Sequence, residues 1–255
     1  MICALLLGRE QSTGFPGKNW HPLLGRPMLL YPLLAARATP DIDRVYVSTD
    51  SPTIKRHAVD CGARLIDRPA HLATKEALGE DAFAHGFTVI RDELVHEGDT
   101  LELLVLLFCN APTISPELLS QGIEALRRDP QADSAVTVSV YNMWSPLRAR
   151  RLDQRGYLQP FVPFETFGDP ATLNCDRDSQ GDVYFADMGA SIVRPHCLER
   201  LHDGLPPQKW MGRKILPIRQ WGGLDIDYPW QVPLAEHWLR EHGFTEMTMP
   251  YDVER

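Results

Sequence analysis

The amino-terminal stretch constrains the fold of this chain more than any other. Six apolar residues, Ile2–Leu7, run directly into a loop that holds three glycines within residues 8–19. This pattern predicts a buried strand followed by a tight connection. Glycines let a backbone approach an anion closely, and here Arg9 and Lys18 add positive charge while Ser12 adds a hydroxyl donor. The loop is therefore suited to hold a triphosphate.

Two common phosphate-binding motifs are absent from this loop. Neither Gly-x4-Gly-Lys-Ser/Thr nor Gly-x-Gly-x-x-Gly can be threaded through residues 8–19. Considered alone, the loop would equally suit an ordinary polar connection between a strand and a helix. Its interpretation as a phosphate site therefore depends on the rest of the chain.

The charge balance disfavours two classes of partner. The chain has 26 Lys and Arg residues against 34 Asp and Glu residues, a formal net charge of −8. This composition disfavours a nucleic acid or an anionic membrane as the main partner. The apolar start is too short for a signal peptide or a membrane span, and five scattered cysteines without a C-x-x-C pair argue against structural zinc and disulfides. We expect a cytoplasmic protein with reduced thiols.

Strand and helix patterns alternate along the chain. Helices are predicted at 28–38, 53–61, 76–96, 116–128 and 230–241, and strands at 2–7, 44–48, 64–67, 101–108, 135–141, 182–194 and 214–219. Residues 101–108 are almost continuously apolar, as expected for a central parallel strand buried on both faces. The alternation predicts an α/β fold with a doubly wound, mostly parallel sheet that binds ligands at the carboxyl ends of its strands. A single domain, residues 1–255, is expected at this length.

Residues 142–180 interrupt this alternation. Helical periodicity disappears there, while prolines and aromatic residues accumulate. Because so many large apolar side chains are unusual on a solvated loop, we predict an inserted arm, against the alternative of a mobile surface excursion. Four aromatic residues would fill an interface between two subunits: Trp144, Phe161, Phe164 and Phe167. We therefore expect a homodimer with two-fold symmetry.

Several motifs, taken in order, resemble those of one enzyme family. They are Arg9, Ser12, Lys18 and Asn19 in the first loop, Pro-Met-Leu-Leu-Tyr at 27–31, Arg-Val-Tyr-Val-Ser-Thr-Asp at 44–50, and Leu-Asp-Ile-Asp at 224–227. The order resembles the acylneuraminate and related 3-deoxy-sugar-acid cytidylyltransferases, which attach CMP to acidic sugars. The resemblance implies the Rossmann-like fold of nucleotide-diphospho-sugar transferases, with CTP and an acidic sugar as substrates. It also implies an arm that packs against a second subunit and helps to close the sugar site.

Nucleotidyl transfer requires positive charge around the triphosphate. Negative charge builds on phosphate oxygens during in-line attack at the α-phosphorus, so positioning, Mg2+ and cationic side chains supply most of the catalysis. Lys18 and Arg9 are the candidates for the phosphate cradle. Asp225 and Asp227 are the candidates for Mg2+, because residues two apart in an extended backbone project to one side and adjacent carboxylates repel each other without a cation. One of these aspartates would alternatively cap the helix that begins near Pro229.

The resemblance also assigns residues to the nucleotide. The expected contacts are Leu7, Gly8, Arg9, Ser12, Lys18, Asn19 and Arg68, with Arg9, Lys18 and Asp227 as the catalytic candidates. Asn19 and Arg68 match the positions that read cytosine, and an amide with a guanidinium can pair with a pyrimidine carbonyl and ring nitrogen. Alternatively, Asn19 would be an ordinary turn residue, and Arg68 would pair with Asp67 or Glu76.

The sugar-binding region departs from the family pattern. The family run Gln-Pro-Thr-Ser-Pro-Leu-Arg reads Asn-Ala-Pro-Thr-Ile-Ser-Pro-Glu-Leu at 110–118, and Arg-Pro-Asn-Gly reads Ala-Asp-Met-Gly at 186–189. Asn110, Thr113 and Gly189 remain as candidate sugar contacts, while a glutamine and the arginines are lost. Four unassigned cations are available for a sugar carboxylate: Arg148, Arg150, Arg177 and Lys209. These departures preserve nucleotidyl transfer but not the residues that hold sialic acid.

Two other functions remain open from the sequence. The first is a nucleotidyltransferase of the same fold that uses GTP or UTP with a sugar phosphate. The second is a non-catalytic nucleotide-binding scaffold, which the lost family residues would allow. Retention of Lys18 and of the aspartate pair argues against the scaffold.

Overall fold

A computed structural model describes residues 1–251 of the chain. Its strands are β1 (Ile2–Leu7), β2 (Pro22–Leu23), β3 (Arg26–Pro27), β4 (Arg44–Thr49), β5 (Arg64–Asp67), β6 (Leu103–Phe108), β7 (Ser134–Val140), β8 (Arg150–Leu152), β9 (Leu158–Pro160), β10 (Tyr184–Val193) and β11 (Ile215–Gln220). Its α-helices are α1 (Leu30–Ala38), α2 (Pro52–Asp60), α3 (Gly79–Glu97), α4 (Pro116–Arg128), α5 (His196–Glu199) and α6 (Val232–Glu241).

A seven-stranded sheet forms the centre of the molecule. Its strand order is β11-β7-β10-β6-β1-β4-β5. The pairings are parallel except for those of β10, which runs antiparallel to both β6 and β7. The predicted α/β fold with a doubly wound, mostly parallel sheet is therefore confirmed.

The central strands are apolar throughout because helices cover both faces of the sheet. Alternate residues of β1 point to opposite faces, so Ala4 packs into a cluster with residues of α1, α2 and α4, whereas Leu5 packs into a cluster with residues of α3. Gly86 lets α3 approach closely, since a Cβ there would lie 2.5 Å from the Leu5 side chain. The core thus fixes the end of β1, where the first loop begins.

The predicted cap of α4 is present, but two other helices begin later than predicted. Ser115 caps α4 by accepting a hydrogen bond from Leu118 N at 3.4 Å, with a proline at the first helical position. The helix predicted from residue 76 begins only at Gly79, because a 3-10 turn at Ala70–Leu72 and a loop precede it. The closing helix likewise begins at residue 232, after a 3-10 turn at Pro229–Gln231.

The order of the strands reverses between β1 and β6. From β1 the chain moves outward through β4 to β5, and then crosses back to place β6 on the other side of β1. The crevice at such a reversal, outside the carboxyl ends of the strands, is the usual ligand site of an open α/β sheet. The loops after β1 and β6 meet there, since Cys109 N donates to Leu7 O at 2.9 Å.

Residues 142–180 lie between β7 and β10. They contain the antiparallel hairpin of β8 and β9 and several 3-10 turns. Trp144 and Phe161 are each 59% exposed. Large aromatic side chains thus lie on the surface of the single chain.

Three of the five cysteines belong to the core. Cys3, Cys109 and Cys197 are buried, and burial raises the pKa of each thiol to about 12. None of the helices within residues 1–251 combines the length and apolarity needed to cross a bilayer.

Candidate active site

A cleft of about 220 Å3 lies where the strand order reverses. It brings together eight of the residues predicted for the site: Leu7, Gly8, Arg9, Lys18, Asn19, Arg68, Asn110 and Asp225. The lining does not include Ser12, which is half-buried in the first loop, or Asp227, which lies against Lys18. Six of the seven predicted nucleotide contacts, all except Ser12, thus converge on one place from loops far apart in sequence.

The loop after β1 forms one side of the cleft and touches the aspartate pair. Gly17 adopts φ +74°, a left-handed conformation that turns the chain into the 3-10 turn Lys18–Trp20. Gly14 lies so close to Asp227 that a Cβ would be 3.0 Å from its carbonyl oxygen. Lys18 Nζ lies 2.5 Å from Asp227 Oδ1. The predicted phosphate lysine and the predicted metal ligand therefore form an ion pair in this structure.

Arg9 crosses the cleft from this loop. Its Nη1 donates to the carbonyl of Thr74 at 2.6 Å. No carboxylate of residues 1–251 forms a salt bridge with it. Its positive charge is therefore available to an anion in the cleft.

Arg68 provides a second cation, at the base of the cleft. It is 9% exposed and donates to Ser48, from Nη2 to the carbonyl at 2.5 Å and from Nε to Oγ at 3.4 Å. Burial lowers the pKa of this guanidinium. The alternative pairing with Asp67 or Glu76 is not observed, and Asp67 instead pairs with Lys55 at 2.5 Å. A buried guanidinium without a carboxylate partner suits an electron-rich ligand.

Asn19 supports the first loop and also faces the cleft. Its side-chain Nδ2 donates to Arg9 O at 2.9 Å, and its backbone carbonyl accepts from Leu29 N at 2.9 Å. Only the NH2 group of the amide can donate to a carbonyl, so the Oδ1 atom is directed away from Arg9. Within the described part of the chain, no donor bonds to this Oδ1.

The two aspartates flank a buried isoleucine. Ile226 is fully buried, whereas Asp225 is half-buried in the cleft and Asp227 is exposed. Burial, followed by the negative charge of Asp227, raises the pKa of Asp225. The alternative of an aspartate cap is not observed, because the residue at the N-cap of the turn Pro229–Gln231 is Tyr228. Gln231 Oε1 accepts the hydrogen bonds from Asp227 N and Tyr228 N. Two neighbouring carboxylates beside the first loop fit Mg2+, which takes few protein oxygens and keeps several waters.

The three predicted sugar contacts have other hydrogen-bonding partners. Asn110 lines the cleft, and its Nδ2 donates to Ile226 O at 3.0 Å. Thr113 is fully buried and bonds to the backbone of Leu224. Gly189 is buried in β10. The cleft lining includes neither Thr113 nor Gly189, so for both residues the sugar contact stays a prediction.

Sequence reasoning missed the wall opposite the first loop. It is largely apolar and consists of Leu72, Ala77, Leu78, Gly79, Ala82 and Phe108. Residues 76–82 have the pattern of an ordinary helix, and the predicted start at residue 76 lies three residues before the observed start at Gly79. The small side chains of Gly79 and Ala82 on one face of that helix were the available signal. Phe108 would have been found as the last residue of a strand that ends at the ligand edge.

The chain matches a known protein family. The family model for cytidylyltransferases matches residues 3–153, more than half of the chain. The chain belongs to the cytidylyltransferase family. The predicted family resemblance is therefore confirmed.

Named relatives of this cytidylyltransferase-family protein act on several sugar acids. It is 22% identical over 250 residues to an N-acylneuraminate cytidylyltransferase of Oncorhynchus mykiss, covering 98% of the chain and 52% of that protein. It is 28% identical over 193 residues to a CMP-N,N'-diacetyllegionaminic acid synthase of Legionella pneumophila, covering 72% and 77%. The chain thus spans about half the length of the Oncorhynchus protein.

Solved structures of this family's fold superpose on nearly the whole chain. One is CMP:2-keto-3-deoxy-manno-octonic acid synthetase complexed with CTP, with a TM-score of 0.63 at 15% identity, covering 94% of the chain and 99% of that structure. Another is 4-diphosphocytidyl-2C-methyl-D-erythritol synthase from Anaerococcus prevotii, with a TM-score of 0.62 at 14% identity, covering 94% and 96%. At these identities the likeness establishes the fold.

Proposed function

We propose that this protein transfers CMP from CTP to an acidic sugar and releases pyrophosphate. The observation that carries the proposal is the charge arrangement in the cleft. Among residues 1–251, no carboxylate forms a salt bridge with Arg9 or Arg68, and Lys18 lies beside the Asp225–Asp227 pair. Family membership and the relatives that are named for sugar acids support the same reaction.

The first loop and the aspartate pair would hold the triphosphate between them. Arg9 and Lys18 would bind phosphate oxygens, and Asp225 and Asp227 would hold Mg2+. When bound, Mg2+ neutralises charge on the phosphates and orients them for in-line attack by a sugar hydroxyl. Lys18 would leave Asp227 for the phosphate as the nucleotide enters. Pyrophosphate would depart on the side of these cations.

The base of the cleft favours cytosine over uracil. Asn19 lines the cleft and donates to Arg9 O, so its Oδ1 remains an acceptor that a base in the cleft would meet. Cytosine presents an amino donor where uracil presents a carbonyl acceptor, and an acceptor facing an acceptor is unfavourable. Arg68 would donate to the carbonyl and ring nitrogen of the base.

Pyrophosphate release measured with each of four triphosphates and a panel of sugars tests this function. We expect turnover with CTP and a sugar acid only, and only with Mg2+ present. Turnover with UTP or GTP and a sugar phosphate would establish the alternative enzyme instead. Binding of CTP without turnover on any sugar would favour a scaffold.

Arg68 gives a prediction for nucleotide affinity. Losing a hydrogen bond to a charged group costs about 1.5–3 kcal/mol, or roughly 10- to 150-fold in affinity. Arg68→Met should weaken CTP binding by about this factor, measured by titration calorimetry, with no loss of thermal stability because a buried cation is removed. Arg64→Met is the matched control. Arg64 is on the edge strand β5, outside the cleft, and forms a salt bridge with Glu93 of α3. Unchanged CTP affinity in Arg68→Met would refute the assigned role.

We also propose that the arm forms the interface of a homodimer that completes the sugar site. The support is the exposure of Trp144 and Phe161, since exposed apolar surface of this kind marks interaction sites. We also propose that the protein is cytoplasmic, as expected from its sequence.

The arm gives a prediction for assembly. Phe161→Asp together with Trp144→Asp should convert the dimer to a monomer in light scattering, because two charges would be buried in an apolar interface. Sugar binding should weaken in this variant before CTP binding does. Val95→Asp is the control, as Val95 is 65% exposed on α3 away from the arm. A wild-type chain that remains monomeric at micromolar concentration would contradict the proposal.

A further inference from the structure

The segment that carries the two aspartates is neither helix nor strand, yet other elements bind its backbone closely. We call residues 223–227 the aspartate segment. Gly223 N donates to Ser139 Oγ at 3.0 Å, and Gly223 O accepts from Tyr141 OH at 2.9 Å. Ser139 is in β7 and Tyr141 directly follows it, so the end of this strand holds the start of the segment.

The loop after β6 holds the middle of the segment in the same way. Thr113 Oγ1 accepts from Leu224 N at 2.9 Å and donates to Leu224 O at 3.1 Å. Asn110 O accepts from Ile226 N at 2.8 Å, and Asn110 Nδ2 donates to Ile226 O at 3.0 Å. Both backbone polar groups of Leu224 and of Ile226 are therefore bonded. A loop held at so many points is fixed nearly as firmly as a strand.

The buried carboxylate of Asp187 bonds to Ser139, which also holds the start of the aspartate segment. Asp187 is 5% exposed, and its Oδ2 accepts from Ser139 Oγ at 2.7 Å and from Gln220 Nε2 at 3.0 Å. No cation within residues 1–251 forms a salt bridge with it, and burial raises the pKa of this carboxyl. Burying a carboxylate without a cation is costly, so hydrogen bonds must hold it.

Asp187 determines whether the Ser139 hydroxyl donates or accepts in its hydrogen bond with the aspartate segment. Because the Ser139 hydroxyl donates its proton to Asp187, its oxygen can only accept, and the donor it faces is Gly223 N. The contact is close, since a Cβ at Gly223 would lie 2.2 Å from Asp187 Oδ2. The next residue, Met188, has φ +62° within a register shift of β10. Strained backbone of this kind persists only where surrounding structure enforces it.

We infer that Thr113, Ser139 and Asp187 are positioning residues for the metal-binding pair. They hold the aspartate segment so that Asp225 and Asp227 stay on one side of the cleft before a cation arrives. Without this support the two carboxylates would separate, because like charges repel and a free loop would yield. Outer partners of ligands commonly change metal affinity by 10- to 100-fold. The inference rests on the proposed function, which assigns the metal to these aspartates.

Binding of Mn2+ alone to the full chain, followed by electron paramagnetic resonance of the free ion, tests this inference. Thr113→Val keeps the shape of the side chain but removes its hydroxyl, and it should weaken Mn2+ binding about tenfold. CTP binding in the presence of a chelator should be unchanged, while the Mg2+ concentration for half-maximal turnover should rise. Thr113→Ser should restore Mn2+ affinity.

The control and the decisive outcomes are separate from those of the proposed function. Thr39→Val is the matched control, because Thr39 is also buried and bonds to a backbone carbonyl, Ala35 O, outside the cleft. Ser139→Ala carries the same expectation and decides the matter if Thr113→Val fails to fold. Wild-type Mn2+ affinity in a folded Thr113→Val or Ser139→Ala variant would overturn the inference. Absence of Mn2+ binding to the wild-type chain would instead overturn the metal assignment in the proposed function.

Discussion

Asp227→Asn is expected to reduce Mg2+-dependent pyrophosphate release by roughly three orders of magnitude, or about 4 kcal/mol of transition-state stabilisation. An amide carries no charge and binds Mg2+ much more weakly than a carboxylate. Folding should be unaffected, since Asp227 is exposed and its pair with Lys18 lies at the surface, where such pairs contribute about 0–1 kcal/mol. The measurement is the initial rate of pyrophosphate release across a Mg2+ titration.

Asp67→Asn is the matched control for this substitution. Asp67 also forms a salt bridge with a lysine, since its Oδ1 lies 2.5 Å from Lys55 Nζ. It is more exposed than Asp227 and lies outside the cleft. This variant should therefore keep wild-type turnover. If Asp227→Asn kept wild-type turnover at saturating Mg2+, the aspartate pair would not be the metal site.

Lys18→Ala is expected to lower kcat/KM for CTP by about 100- to 1000-fold. A single cationic or hydrogen-bonding contact to the transferring phosphate is typically worth about 2.7–4 kcal/mol in the transition state. The Lys18 side chain is 15% exposed and reaches the surface of the cleft, so its removal should change the thermal stability little.

The ion pair makes this variant informative in a second way. Removing Lys18 leaves Asp227 without its cation, so Mn2+ binding should be retained or strengthened while CTP binding weakens. A general loss of structure would weaken both. Lys55→Ala is the control, since it removes a lysine from a similar pair with Asp67. Wild-type CTP kinetics in Lys18→Ala would remove this residue from the mechanism.

The sequence was sufficient to predict the frame of the site but not its supports. Continuous apolar runs identified β1 and β6, because strands buried on both faces show no alternation. The Asp-Ile-Asp spacing predicted the buried Ile226 between two accessible carboxylates. It did not predict that the segment is irregular and held by side chains 82 to 116 residues away. Hydrogen bonds over such separations leave no local pattern.

Arg68 illustrates a different limit. Its neighbour Asp67 and the nearby Glu76 made ordinary ion pairs plausible from sequence. However, consecutive residues at a strand end point to opposite faces, so Asp67 lies in solvent while Arg68 is buried. Thr113 shows the converse. Its family position suggested a sugar contact, whereas its burial depends on how the aspartate segment folds over it.

The ion pair between Lys18 and Asp227 has a consequence for the order in which ligands arrive. In this structure each charge neutralises the other. CTP alone would meet a lysine still bound to Asp227, and a divalent cation alone would meet an aspartate still bound to Lys18. Either ligand frees the group that the other needs, so the two should bind cooperatively. Because such coupling is reciprocal, the metal should raise CTP affinity by the same factor by which CTP raises metal affinity.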